Sequence, residues 1–449
     1  MSISRKDFIK NISIVTIGLT SFSRLLSSTS ALLNLDTLSL IKDSKGILNL
    51  PKGFSYSVLS KLNDKMDDGL NVPDKADGMG CFKLDKNHVI LVRNHEIGHV
   101  PLLGNTFRLK NPYGKKMGRY IRKKNNYFYD STAKKTECFG GTTSITYNIK
   151  TKKVVNQHLS LVGTLVNCSG GQSPWGTWIS CEETVKSKEG KILKNHGYNF
   201  EVFPSSKNRL TKAVPLKAMG RFRHEAVAFD PNKGFVYQTE DREDGLFYRF
   251  IPNVKNNLKK GGKLQGLSLV DFRGPDCRNW KNETFKVGKS YRCKWIDLDD
   301  VESPLDDLRK RGRNKGCAIF ARGEGMWYAD DYVYFVATTG GKNKYGQIWR
   351  YSNNKKLELF YESKSKESMY KPDNIVVSPW GDVIICEDGR GHDRLIGIKP
   401  NGQTYVLAEN ILNTSELAGI VFSPNEKILF LNIYKPTMTL AIEGPWNQL

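Results

Sequence analysis

Three short apolar runs in this 449-residue chain end in a pair of acids: Cys181-Glu182-Glu183, Thr239-Glu240-Asp241 and Cys386-Glu387-Asp388. Successive side chains of a strand face opposite ways, so one member of each doublet can address a common centre. Further acids stand at comparable places, in Asn94-His95-Glu96, Arg223-His224-Glu225 and Arg322-Gly323-Glu324. Carboxylates gathered in one place repel each other unless they are protonated or hold cations. Oxygen ligands select hard ions such as calcium, and a single thiolate among them points to a transition metal such as iron. Cys168 is placed for that role, in Asn167-Cys168-Ser169-Gly170-Gly171, where the glycines allow close approach. A small buried residue in a Gly-rich turn is the competing reading. Cys181 and Cys386, next to Glu182 and Glu387, read as apolar core. No H-E-x-x-H motif joins any two of the seven histidines, so His95 and His224 are expected to support neighbouring carboxylates. Arg322 suits bidentate binding of phosphate, with a salt bridge to the acids as the alternative.

The elements that must position these residues form a repeat. Six times the sequence runs from a polar residue through an apolar strand, a turn and a second apolar strand to another polar residue. The copies span Asp77 to Glu96, Cys168 to Glu183, Glu225 to Asp241, Glu324 to Thr339, Asn374 to Asp388 and Glu416 to Asn432. Turns such as Asp230-Pro231-Asn232-Lys233-Gly234 and Ser423-Pro424-Asn425 carry hairpin chemistry. A tight hairpin begins and ends at the same sheet edge, so both polar ends of every copy face one way. Six such units predict an all-β protein, a six-bladed β-propeller with inserted loops and a metal site on its central axis. The insertions, Pro101 to Lys135 and Ile251 to Cys317, read as surface loops and extra strands rimming that site.

Composition agrees with a large β architecture: 40 Gly, 17 Pro and 39% hydrophobic residues, in many short apolar runs. The net charge of +23 attracts anions without choosing among them. Basic runs such as Arg122-Lys123-Lys124 and Arg309 to Lys315 are not interleaved with aromatics, so no specific nucleic-acid surface is expected. Residues 1–31 read as an export signal: Arg5 and Lys6 precede an apolar stretch from Ile12 to Phe22 and a small-residue run from Ser27 to Ala31. That stretch is too short to span a bilayer, and no other segment is apolar enough to do so. Residues 50–449 read as one domain. The eight cysteines contain no C-x-x-C pair, which argues against a zinc ribbon, and Cys277 and Cys293 lie close in sequence.

At these residues the chain resembles the PhoX family of bacterial alkaline phosphatases. The strings that carry the resemblance include NCSGG at 167 to 171, PWGTWISCEE at 174 to 183, GRFRHEA at 220 to 226, RGEGMWY at 322 to 328, DNIVVSPWG at 373 to 381 and CEDG at 386 to 389. They run in order from about residue 70 to the end. The resemblance implies a six-bladed propeller exported by the twin-arginine route, with Lys6 standing where that signal has its second arginine. It implies ferric and calcium ions joined by a bridging oxo group, and hydrolysis of small phosphate monoesters. Carried onto matching positions, it implies that Cys168 is an iron ligand, that Glu96, Glu182, Glu183, Glu225, Glu324, Glu387 and Asp388 are candidate carboxylate ligands, and that Arg322 binds phosphate. Glu240 and Asn374 join them on repeat position alone. A monomer in the periplasm or outside the cell is expected. Two other classes fit the acidic axis less completely: a calcium-dependent propeller lactonase or phosphotriesterase, and a non-catalytic anion-binding propeller.

Overall fold

The computed structural model describes residues 39–99, 111–132 and 136–449; the expected export signal lies outside them. Three strands come first, β1 (Leu40–Ile41), β2 (Leu48–Pro51) and β3 (Ser55–Lys61). One antiparallel sheet follows from β4 (Ala76–Lys83), β5 (His88–His95), β6 (Gly140–Asn148) and β7 (Lys153–Thr164), and a shorter one from β8 (Asn167–Gln172), β9 (Trp178–Glu182) and β10 (Asn199–Val202). A nine-stranded sheet contains β11 (His224–Phe229), β12 (Val236–Glu240), β13 (Phe247–Pro252), β14 (Gly262–Leu269), β15 (Ser290–Asp297), β16 (Gly323–Ala329), β17 (Tyr332–Ala337), β18 (Gln347–Ser352) and β19 (Lys356–Glu362). Next come β20 (Pro372–Val377), β21 (Val383–Glu387), β22 (Arg394–Ile398) and β23 (Thr404–Asn410), extended outward by β2 and β1. The last sheet joins β24 (Leu417–Phe422), β25 (Ile428–Ile433) and β26 (Met438–Glu443) to β3.

The architecture is an all-β, propeller-like ring. Its innermost strands, β4, β8, β11, β16, β20 and β24, each pack against the next, and β24 returns to β4. Apolar cores lie between neighbouring sheets. Phe82, Ile90 and Val92 meet Trp178 and Phe200 across one junction, and Met79, Cys81 and Leu91 meet Val421 and Phe430 across another. Each large apolar side chain so buried contributes about 1.5–3 kcal/mol. At the axis the strands approach backbone to backbone. A Cβ on Gly171 would sit 2.0 Å from the Val227 carbonyl oxygen, and one on Gly325 would sit 2.5 Å from that of Asp373.

The sheets do not separate into six. Hydrogen bonding divides the strands into five sheets, because β15 pairs with β14 on one side and, through Ser290↔Glu358, Tyr291↔Leu357 and Arg292↔Lys356, with β19 on the other. The insertion from Ile251 to Cys317 therefore builds a seam between two meanders instead of only rimming the site. It also carries the short helix α2 (Leu308–Asn314), while α1 (Met117–Lys124) lies in the first insertion. All eight cysteines are buried and free. No helix among the described residues is long and apolar enough to cross a membrane.

Candidate active site

The repeat places its polar ends through one device used six times. The residue that closes each hairpin donates its backbone N–H to the residue just before the opening strand: Glu96 to Lys75, Glu183 to Val166, Asp241 to Arg223, Thr338 to Arg322, Asp388 to Lys371 and Tyr434 to Glu416. Four of these acceptors, Lys75, Val166, Arg322 and Lys371, hold positive φ of 59°, 50°, 56° and 52°, a conformation costing about 1–3 kcal/mol for a residue other than glycine. Immediately inside, pairing slips by one residue: between Ala76 and Met79, Asn167 and Gly170, His224 and Val227, Gly323 and Met326, and Pro372 and Ile375, and one residue later in the last unit, between Ala418 and Val421. Such bulges re-aim side chains. The residues they carry in the first five units are Asp77, Cys168, Glu225, Glu324 and Asp373.

Opening and closing residues converge. Ligand atoms of Cys168, Glu183 and Glu225 lie within 4.8 Å of one another, as do those of Glu225, Glu324 and Asp373, and those of Asp373, Asp388 and Glu416. Glu225 and Asp373 each belong to two of these groups, so the three form a continuous row. Asp77, Glu96 and Asp241 border it, giving nine carboxylates and one thiol, all buried or half-buried. Two guanidiniums stand over them, each about one-third exposed. Arg223 Nη2 pairs with Glu183 Oε1 at 2.6 Å. Arg322 donates from Nε to Asp241 Oδ1 at 2.7 Å and from Nη2 to Glu324 Oε1 at 2.7 Å. The Tyr434 hydroxyl donates to Glu96 Oε2.

These cations do not balance the acids. Burial, reinforced by neighbouring carboxylates, pushes Asp77, Glu183, Glu225, Glu324 and Glu416 well above the ordinary carboxylate range. Burial and Asp388 raise Asp373 to about 7. Burial pushes the Cys168 thiol up as well, with Glu225 adding to it. Asp241 behaves oppositely: burial would raise it, but the hydrogen-bonded Arg322 holds it below its usual value. Asp77 Oδ1 is buried without a hydrogen-bond partner. An orphaned carboxylate oxygen beside a carboxylate-and-thiol row is a donor set for several cations, the thiol end suited to a transition metal and the rest to hard ions.

Of the residues singled out in the sequence, Glu96, Cys168, Glu183, Glu225, Glu324, Asp388 and Arg322 come together here. Glu182, Glu240 and Glu387 do not. Each precedes the closing residue, so the pleat turns it to the opposite face, where it finds other partners. Asn374 lies between, its Nδ2 donating to Asp373 Oδ1 and its Oδ1 accepting the Gly419 N–H. The histidines support no carboxylate in this cluster: His95 faces the Asp74 carbonyl and Thr143 Oγ1, and His224 faces the Gly220 carbonyl. Asp77, Asp241 and Glu416 are ends of the repeat that the sequence places on the axial face without naming them as ligand candidates; Asp373 and Arg223 are missed altogether. A usable signal is the small residue after the ligand position, in Asp77-Gly78, Cys168-Ser169, Glu225-Ala226 and Glu324-Gly325, which the close approach of the inner strands demands.

The structure of Pseudomonas fluorescens PhoX in complex with vanadate, a transition-state analogue, superposes with a TM-score of 0.63 at 18% identity, covering 91% of this chain and 97% of that one. A gluconolactonase from Xanthomonas campestris covers 87% of this chain and 98% of its own at 8% identity, with a TM-score of 0.44. None of the curated protein sequences compared matches the chain. The family model described as alkaline phosphatase PhoX matches residues 35–437. The chain therefore belongs to the alkaline phosphatase PhoX family of phosphoric monoester hydrolases.

Proposed function

We propose that the axial row holds a mixed set of cations and that phosphate monoesters are hydrolysed between it and the two guanidiniums. The observation that carries this reading is the row of three ligand groups sharing Glu225 and Asp373, with Asp77 Oδ1 left unpartnered. Cys168, Glu183 and Glu225 suit iron, and the all-oxygen groups, Glu225, Glu324, Asp373 and Asp373, Asp388, Glu416, suit calcium. Such cations supply Lewis acidity toward phosphoryl oxygens and toward water at mildly alkaline pH. The protein's own residues do the rest. Arg322, whose Nε and Nη2 are tied by Asp241 and Glu324, is left with Nη1 to present to the phosphoryl group, and Arg223, just before the neighbouring inner strand β11, adds a second guanidinium. The buried carboxylates keep their positions through six equivalent backbone bonds, so little reorganisation accompanies charge development.

The nine-stranded sheet reads as two blades fused at their outer edges, which makes six blades around the axis. Six inner strands in a closed circle and an apolar core at each junction support that count. Residues 50–449 are taken as one domain, preceded by an export signal that directs the enzyme to the periplasm or beyond.

Metal analysis with a p-nitrophenyl phosphate assay tests the site. The purified protein is expected to carry iron and calcium and to lose hydrolysis on chelation. Cys168→Ala is expected to lose iron and activity together, and activity retained without iron overturns the role given to Cys168.

A further inference from the structure

A second group of ligand-type side chains is buried between the first two sheets, behind the strand that ends at Glu182. Asp130, Cys138 and His196 are 2%, 1% and 0% exposed, and one ligand atom from each lies within 4.8 Å of the others. They come from separate segments: the turn after α1, the approach to β6 and the approach to β10.

The contacts within the group are long. His196 Nε2 is 3.5 Å from Asp130 Oδ2, where an N–H···O bond prefers about 2.9 Å, and 3.8 Å from Cys138 Sγ, the reach of a weak hydrogen bond to sulfur. Around a tetrahedral zinc ion, bonds of about 2.0–2.1 Å to nitrogen, about 2.0–2.2 Å to oxygen and about 2.3 Å to sulfur put the ligand atoms about 3.3–3.6 Å apart.

The other face of the imidazole supplies an independent indication. His196 Nδ1 is 2.6 Å from Glu182 Oε1. Glu182 already accepts backbone N–H groups from Leu165 at 2.9 Å, Gly197 at 2.8 Å and Tyr198 at 3.2 Å. It is an acceptor fixed from three sides, so Nδ1 carries a proton and Nε2 is the ring nitrogen that faces Asp130 and Cys138 and would bind an ion there. A carboxylate behind the distal nitrogen is the arrangement that orients histidine toward a metal. Asp130 is fixed likewise, its Oδ2 accepting from Leu193 and Lys194 N–H at 2.8 and 2.9 Å.

We propose that Asp130, Cys138 and His196 form a second metal site, separate from the axial row, that takes a zinc-like divalent cation, with Glu182 as the carboxylate that orients His196. Without an ion the rival arrangement is a buried imidazolium. Burial lowers His196, but Glu182, joined by Asp130 and Cys138, overrides it and pushes the ring up to about 11. Binding a divalent ion then displaces the Nε2 proton and the Cys138 Sγ proton, so the two charges entering replace two leaving.

The site also gives Glu182 a task that differs from the one its neighbour Glu183 performs. A metal there braces the closing turn that holds Glu183 in the axial row.

The test uses the full chain in a Cys168→Ala background, which removes the axial thiol. Chelator-stripped protein is titrated with Co2+ and read for thiolate-to-cobalt charge-transfer absorption, then with Zn2+ and read by elemental analysis after dialysis. A charge-transfer band that saturates at one equivalent of cobalt is expected, above the metal that the axial carboxylates take up. Adding Cys138→Ser should abolish the band and lower the zinc content by one equivalent, and Cys138→Ser alone should keep the axial metals. Zinc content unchanged by Cys138→Ser overturns the site. Should that variant fail to fold, the cobalt spectrum of Cys168→Ala decides alone, and absence of the band overturns the proposal.

Discussion

The two acids of each doublet sit one residue apart and meet opposite fates. Glu182, Glu240 and Glu387 point away from the axis and find protein donors, although Glu240 Oε1 has only Arg309 Nη1, at 3.7 Å. Glu182 is held by His196 and three backbone N–H groups; Glu240 accepts the Tyr248 hydroxyl at 2.6 Å; Glu387 accepts Arg394 Nε and Nη2, each at 2.7 Å, and the Tyr370 N–H. Glu183, Asp241 and Asp388 point inward, among acids that outnumber the cations near them. The contrast teaches that the pleat, and not the residue type, separates a carboxylate that stabilises the fold from one that is available for chemistry. The outward acids lean on donors from their own sheets; of the inward ones Asp241 has Arg322 and Glu183 has Arg223, and the remaining carboxylates of the row have no cation of the protein to themselves.

Substitutions on the two sides should break differently. Glu225→Gln removes a carboxylate shared by two ligand groups, and kcat should fall by about 10³-fold with metal content reduced and the fold intact, as read by kinetics and circular dichroism. Glu387→Ala strips the partner from a mostly buried guanidinium, and should cost about 3 kcal/mol in denaturant unfolding. The residual folded enzyme should keep its kcat. Arg322→Lys retains charge but loses the fork; kcat/KM for p-nitrophenyl phosphate should drop about tenfold with stability nearly unchanged. The smallest effect is expected at Asp393, whose burial raises it to about 7. A folded-state value above the ordinary one means the native protein binds the extra proton, so this contribution is present below about pH 4 and is lost as pH rises through 7. Asp393→Asn should therefore stabilise the protein by about 1 kcal/mol at pH 8, with the difference shrinking toward pH 4.

Much of this was legible from sequence. Polar residues bracketing apolar hairpins marked a ring, and Cys168 stood out because glycines follow it. The doublets were not resolvable, since the donors that claim their outward members come from distant segments: Arg394 for Glu387, residues 196–198 for Glu182, Tyr248 for Glu240. Asp373 escaped because the bulge shifts register by one, moving the inward position from Asn374 to its neighbour. The seam between β15 and β19 was hidden for another reason. It joins residues 290–292 to 356–358, and the one apolar pair in it, Tyr291 and Leu357, is too short a signal to predict a pairing across more than sixty residues.

One earlier feature bears on how the enzyme is made. The outermost strand of the last sheet is β3, pairing Ser55 through Lys61 with Glu443 through Met438, and β2 completes the sheet before it. The beginning of the chain thus has to wait for its end. A fragment lacking β26 leaves β3 without its partner, so the outer edge of the last sheet is completed only when segments far apart in sequence, Ser55–Lys61 and Met438–Glu443, have met.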